Sequence, residues 1–289
     1  MAASDWLSKV TLRLTCIVAI VMFAAACSRQ TSQDASDGGV KIVSLDFCAD
    51  QFVLKLADRK NILALSPDAE AIFSYMRDDA RGVAKVRPRA EDILLLAPDI
   101  VVRTYGGGPN ATAFFERAGI KVVQIAYAGD LDTVKQSILD ASEELGAAER
   151  GAALVAQMDA RLAALAPSNT GSTILYMTSK GAVAGRGTLV GELLERAGYE
   201  NFQAAPGWSS LPLERLAYES PDVIAAGFFD TSDMVSDMWT PSRHPVARRQ
   251  LSGRPVIDLP SAWTACSGWF LLDALEALAA APTTGSSVQ

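Results

Sequence analysis

The sequence predicts an α/β protein of two lobes, each built on a parallel sheet, joined by one long rigid helix. Three observations carry that prediction. First, one device occurs twice: Ala90-Glu91-Asp92-Ile93-Leu94-Leu95-Leu96-Ala97-Pro98-Asp99 followed by Ile100-Val101-Val102, and Leu213-Glu214-Arg215-Leu216-Ala217-Tyr218-Glu219-Ser220-Pro221-Asp222 followed by Val223-Ile224. In each copy a Glu opens a short apolar helix pattern, Pro ends it because it has no N–H and restricts the residue before it, and a β-branched run reads as a buried parallel strand. The copies lie 123 residues apart, which implies two similar lobes and not a short-period array. Second, short strand and helix patterns alternate on either side of the middle of the chain. Third, residues 131–166 carry no strand pattern, and the part after Gly146 is one helix placed where a linker belongs.

The elements follow in order. Residues 41–45 form a strand, a helix begins near Ala49, and residues 61–65 form the next strand. Residues 68–77 read as a helix ending near the basic loop Arg81 to Arg89. Then come helix 90–97, strand 99–104, a Gly106-Gly107-Gly108-Pro109 break, helix 110–118 and strand 121–126. Residues 147–166 are rich in Ala, Leu, Arg, Gln and Met, with Leu154, Val155, Met158, Leu162 and Leu165 on one face, and Pro167 stops the run. The second lobe has strand 173–177, a helix capped by Thr188 and ended by Gly198, helix 212–219, strand 222–227, a helix near 245–251, strand 255–259 and helix 268–280.

The 289 residues, 49% of them hydrophobic, suffice for two cores of ordinary domain size. At the N-terminus, Lys9 and Arg13 precede a 13-residue apolar run from Leu14 to Ala26, which reads as a signal peptide over 1–26. A retained membrane anchor is the alternative, although the run is short against the roughly 20 residues of a span. The small residues before Cys27 are similar to a bacterial lipobox with Ala24 in place of the usual Leu, so Cys27 is a candidate lipidation site; simple cleavage before Cys27 is the other reading. Polar residues 27–39 form a flexible tether, 40–146 the N-terminal lobe, 147–166 the connecting helix, 167–282 the C-terminal lobe and 283–289 a disordered tail. The formal charge is −7, and −8 once the leader with Asp5, Lys9 and Arg13 is gone; an acidic exported chain without a basic stripe is not expected to bind nucleic acid.

Taken together, the signal peptide, two α/β lobes, connecting helix and paired Glu-led helices resemble the class III substrate-binding proteins of ABC importers, the group that binds cobalamin, haem and ferric siderophores. The resemblance covers essentially the whole mature chain and rests on the ordered set of motifs. It implies two Rossmann-like lobes with a ligand cleft between them, a monomer in the periplasm or cell envelope, and membrane contact only through a lipid anchor. It also implies that a surface Glu on each lobe docks on the membrane permease, and that role carries onto Glu91 and Glu214; two carboxylates far apart on a rigid body suit two basic pockets. A Glu favoured by the helix dipole is the alternative at each position, but it leaves the pairing unexplained.

Loops at the carboxyl ends of the strands are where open parallel sheets bind ligands. They offer Tyr105, Trp208, Phe228 and Trp263 as aromatic contacts, each alternatively packed under its own loop. Trp208 lies six residues before Glu214, where the cobalamin-binding member also has a cleft Trp. Lys85, Arg87 and Arg186 lie at the same end and suit an anionic group, or stand as solvated surface charge. Cys48 and Cys266, both in loops on the cleft side, are a candidate disulfide in an oxidising compartment; free thiols or thiolate ligation of a metal centre are the alternatives.

An enzyme would need a nucleophile–base pair or a cluster of metal ligands. The chain has one His, His244, and no HExxH, GxSxG or CxxC, and the Gly185-Arg186-Gly187 turn lacks phosphate-loop spacing. Capture of a bare transition metal calls for several His with carboxylates, against which a single His argues. The expectation is therefore a binding protein with no intrinsic cofactor whose ligand is a ferric siderophore, haem or cobalamin; an exported α/β enzyme acting on a chelate is the alternative.

Overall fold

The computed structural model describes residues 39–167, 171–234 and 240–281. The leader, Cys27 and the tail at 283–289 lie outside the described residues.

The first lobe runs β1 (Ile42–Ser44), α1 (Phe47–Leu56), β2 (Ile62–Ala64), α2 (Ala90–Leu95), β3 (Ile100–Arg103), α3 (Ala111–Arg117) and β4 (Lys121–Gln124). Its four strands are all parallel, in the order β2-β1-β3-β4. Alternation along the strands supplies both faces of this sheet. Val43 and Val101 pack with Ile93 of α2 and Phe115 of α3, while Ile42, Ile100 and Val102 face Phe52 and Leu56 of α1.

Two helices follow. Asp130 caps α4 (Leu131–Glu144), its Oδ1 accepting the Thr133 N–H at 2.7 Å. Gly146 turns the chain at φ +67°, and α5 (Ala148–Ala164) packs back against α4, where Gly151 leaves room for the Ser142 side chain. At 17 residues α5 is roughly 25 Å long. Arg150 near its start pairs with Asp58 of the first lobe at 2.8 Å. Arg161 near its end pairs with Asp273 and Glu276 of the last helix, both at 2.7 Å.

The second lobe comprises β5 (Thr173–Thr178), β6 (Ala182–Ala184), α6 (Leu189–Arg196), β7 (Glu200–Asn201), β8 (Trp208–Ser210), α7 (Leu213–Tyr218), β9 (Val223–Gly227), α8 (Pro245–Gly253), β10 (Val256–Leu259), α9 (Ser261–Thr264) and α10 (Leu271–Ala280). Its sheet has the order β10-β9-β5-β6-β8, with β7 also on β5. Strands β5, β7, β9 and β10 are parallel; β6 runs antiparallel to both β5 and β8. The sequence reading leaves β6 and β8 as loops, because three residues around a Gly181 turn carry too little period to register as strands.

The repeated device has a structural logic visible in both lobes. Pro98 and Pro221 are buried at the helix-to-strand corner. The next residue, Asp99 or Asp222, accepts the backbone N–H that begins the lobe's first strand, Lys41 or Thr173, each at 2.8 Å. Those bonds align β3 beside β1 and β9 beside β5.

The predicted helix over 68–77 is a run of turns instead. Buried Gln51 takes that segment's polar groups: its Nε2 donates to Ser74 Oγ at 2.8 Å and its Oε1 accepts the Met76 N–H at 2.7 Å. Gln51 thus takes the Met76 N–H, which a helix would have bonded to its own carbonyl, and ties Ser74 to α1 as well. The largest apolar cluster runs without a break from Phe52 and Leu56 through Leu154 and Met158 to Tyr176, Leu271 and Leu275, so the lobes share one core across α5.

Candidate functional site

In the first sheet the chain leaves β1 for β2 on one side and returns to β3 on the other, so the carboxyl ends of β1 and β3 are where the winding direction reverses. Asp46 follows β1 and caps α1, its Oδ1 accepting the Ala49 N–H at 3.0 Å. Its Oδ2 reaches across to the loop after β3 and accepts the N–H groups of Thr104, Tyr105 and Gly106 at 2.7, 3.0 and 2.9 Å. Buried Arg103 holds the same loop from beneath, donating to the carbonyls of Tyr105, Gly106 and Gly108 and to Thr112 Oγ1. A Cβ on Gly106 would meet the Leu45 carbonyl oxygen at 2.5 Å, so only glycine lets this loop pack so closely.

The result is a fixed ledge that presents Tyr105. Its ring lies 6.3 Å from that of Phe47, which in turn lies 4.8 Å from Phe73, both edge-on. Tyr105 is more than half exposed, yet its hydroxyl end is partly desolvated and faces Asp46, Asp68 and Asp50, all of which push its ionisation upward, so the side chain stays neutral.

The second lobe supplies the matching ends of β5 and β9. Ser179 donates its N–H to the Gly227 carbonyl at 3.2 Å, joining the two loops. Phe228 then adopts φ +63°, a left-handed conformation that a bulky residue holds only under constraint, and its carbonyl accepts from Thr231 Oγ1 at 2.9 Å. Between the lobes lies a mostly apolar cavity of about 380 Å³. Phe73 lines it from the first lobe; Thr178, Ser179, Lys180, Ala182, Phe228 and Thr231 line it from the second. Trp208 stands half-exposed on β8, its ring 5.9 Å from Tyr176 and edge-on to it. Trp263, on α9, packs against the shared core.

Cys48 of α1 and Cys266, between α9 and α10, form a disulfide with a Cα–Cα distance of 5.5 Å, joining the first lobe to the end of the second.

A family model described as "Periplasmic binding protein" matches residues 42–237, more than half of the chain. The chain belongs to the periplasmic binding protein family. A cobalamin-binding protein of Halobacterium salinarum is 26% identical over 220 residues, covering 70% of this chain and 60% of that relative. The chain thus spans about three fifths of the curated relative's length. Among solved structures, the apo periplasmic heme-binding protein RhuT of Roseiflexus sp. RS-1 superposes with a TM-score of 0.68 at 23% identity, covering 84% of this chain and 98% of that one. The periplasmic vitamin B12 binding protein BtuF of Vibrio cholerae gives 0.58 at 19% identity, covering 83% and 94%. At these identities the superpositions establish the two-lobed fold.

Within this periplasmic binding protein the predicted cations fare differently from one another. Lys85 Nζ is held by Glu70 at 2.8 Å and by the carbonyls of Ala80 and Val83, and Arg87 pairs with Asp92 at 3.3 Å. Arg186 is exposed on the loop after β6. Lys180, which the sequence reading passes over, lines the cavity. Phe47 and Phe73 are also missed there. Phe73 belongs to the segment read as helix, and no local period marks it as a cleft residue. The signal for Phe47 was the Asp-Phe-Cys run immediately after β1, at a strand's carboxyl end. Glu91 and Glu214 are exposed in the first turns of α2 and α7. Among the described residues no helix is long and apolar enough to cross a membrane, and no group of three or more His, Cys, Asp or Glu is placed to hold a metal ion.

Proposed function

We propose that this chain is an extracytoplasmic substrate-binding protein that captures a metal chelate and delivers it to the permease of an ABC importer. The observation that carries the reading is the inter-lobe cavity, whose aromatic wall draws Phe73 from one lobe and Phe228 from the other. A cavity of this size and apolar character suits the face of a large chelate, and cobalamin and haem, the ligands of the similar proteins, are of that kind. Haem, cobalamin and ferric siderophores make up the ligand class, taken up as cargo, with no intrinsic cofactor.

In this reading Tyr105, Trp208 and Phe228 contact the ligand, with Trp263 behind them. Lys180 and Arg186 meet its anionic groups. Lys85 and Arg87 lie at the same end and would have to exchange Glu70 and Asp92 for the ligand. Glu91 and Glu214 dock on basic groups of the permease, one per lobe. The leader over 1–26 directs export, and Cys27 carries a lipid anchor. The protein binds and releases without chemical turnover.

Titration of the purified mature chain with haemin, cyanocobalamin and ferrichrome, followed by tryptophan quenching and ligand absorbance, tests this. Saturable one-to-one binding of one of them, with the ligand recovered unchanged by mass spectrometry, is the expected result. No saturation with any of the three would reject the chelate class. Ligand altered in proportion to protein would make the chain an enzyme.

A further inference from the structure

The two repeats share more than a glutamate. Aligned on Glu91 and Glu214, they match position by position: Ile93 with Leu216, both buried, and Asp99 with Asp222, both bonded to the start of a first strand. Four residues after each glutamate stand Leu95 and Tyr218. They are 86% and 93% exposed, the highest values of any large apolar residue described. Residues four apart on a helix lie on one side, so each apolar group neighbours its glutamate. A single exposed leucine needs no explanation. Two such residues at the same register of a duplicated device do, because the device buries its other matched apolar positions, Ile93 with Leu216 and Pro98 with Pro221, and leaves these two almost wholly in solvent.

We propose that Leu95 and Tyr218 are the apolar anchors of a two-point docking surface. Each enters an apolar pocket of the membrane permease, beside the basic group that receives the neighbouring glutamate. This rests on the reading of Glu91 and Glu214 as docking residues. The carboxylates favour a basic partner and disfavour a second copy of this acidic chain, whose own glutamates would repel them. Charges at an interface set orientation and encounter rate and weaken in salt, whereas buried aliphatic and aromatic anchors slow dissociation. Because the lobes share one core, the two anchors sit on a single body, and engagement of one raises the effective concentration of the other.

The test measures binding of the full mature chain to the permease of its own importer in lipid nanodiscs, by surface plasmon resonance at low and high salt. Titration of each variant with whichever of haemin, cyanocobalamin and ferrichrome the native chain binds checks that the ligand site is intact. Leu95→Ala and Tyr218→Ala should each weaken docking roughly tenfold and the double variant by about a hundredfold, with the native salt dependence kept. Glu91→Gln with Glu214→Gln should weaken docking and flatten the salt dependence. Native docking by the Leu95→Ala, Tyr218→Ala variant overturns the proposal whatever the glutamate variant does. Native docking by the glutamate variant, beside lost docking of the apolar one, removes the charge reading and leaves the anchors standing. Equal binding to nanodiscs without permease, or self-association lost in the apolar variant, also overturns it, in favour of a lipid surface or a second copy.

Discussion

Asp46→Asn tests whether one carboxylate builds the ledge under Tyr105. In the native protein Oδ2 accepts three backbone N–H groups at 2.7–3.0 Å while Oδ1 caps α1. An asparagine that keeps its oxygen on the Ala49 N–H turns its amide donors onto three other donors. Flipped, it serves the loop and loses the cap. A hydrogen bond to a charged group contributes about 1.5–3 kcal/mol, but three bonds to one oxygen do not add, and the exposed rim of the loop can reach water. A loss of about 3 kcal/mol is therefore expected, between one and two such bonds. Arg103 still holds the carbonyls of Tyr105, Gly106 and Gly108, so the lobe should fold with the loop loosened. Urea unfolding at neutral pH should show a lower midpoint at unchanged slope, and whichever of the three chelates the native chain binds should bind several-fold more weakly. A midpoint shift worth less than about 1 kcal/mol, with native affinity, would refute the reasoning and assign the loop to Arg103 alone.

Three further outcomes are expected. Burial pushes the Asp50 carboxyl from 3.8 up to about 6, chiefly by desolvation, against hydrogen bonds from Ser66. Between those values the native state binds more protons than the unfolded one, so this group makes stability fall as pH rises from about 4 to 6, by about 3 kcal/mol in all. Urea midpoints across that range should lose this slope in Asp50→Asn, and parallel profiles for the two proteins would contradict it. The disulfide closes a separation of 218 residues, for which chain entropy gives an upper value of about 5 kcal/mol. Paired Cys48→Ser and Cys266→Ser should lower the thermal midpoint by an amount consistent with a few kcal/mol, and full thiol labelling of the denatured, unreduced native protein would show the bridge absent. Trp208→Ala removes a half-exposed ring resting on Tyr176, so stability should stay near native while chelate affinity falls by about 1–3 kcal/mol by calorimetry. Unchanged affinity would place Trp208 outside the site.

The repeated helix–Pro–Asp–strand device was legible because its parts act locally. Proline ends a helix through its own missing N–H, and a run such as Ile100-Val101-Val102 is buried wherever the sheet forms. Thr188 likewise caps the helix that follows it, accepting the Gly191 N–H at 2.9 Å. Such features marked the parallel strands β1 to β5, β9 and β10 and most of the helices, and the two cysteines form the bond that their placement suggested.

Partners distant in sequence decided the rest. Residues 68–77 have helical composition, but Gln51 captures Ser74 and Met76, and the resulting turns carry Phe73 to the cavity wall. Lys85 looks free in the sequence, and the fold brings Glu70 to it, while Lys180 reaches the cavity through the turn between β5 and β6. The short antiparallel strands β6 and β8 depend on one another for their hydrogen bonds, not on any period of their own. Helix and strand periods report which face of an element is apolar; which charge meets which, and which ring borders a cavity, are set when separate segments close on one core, and that closure leaves no periodic trace along the chain.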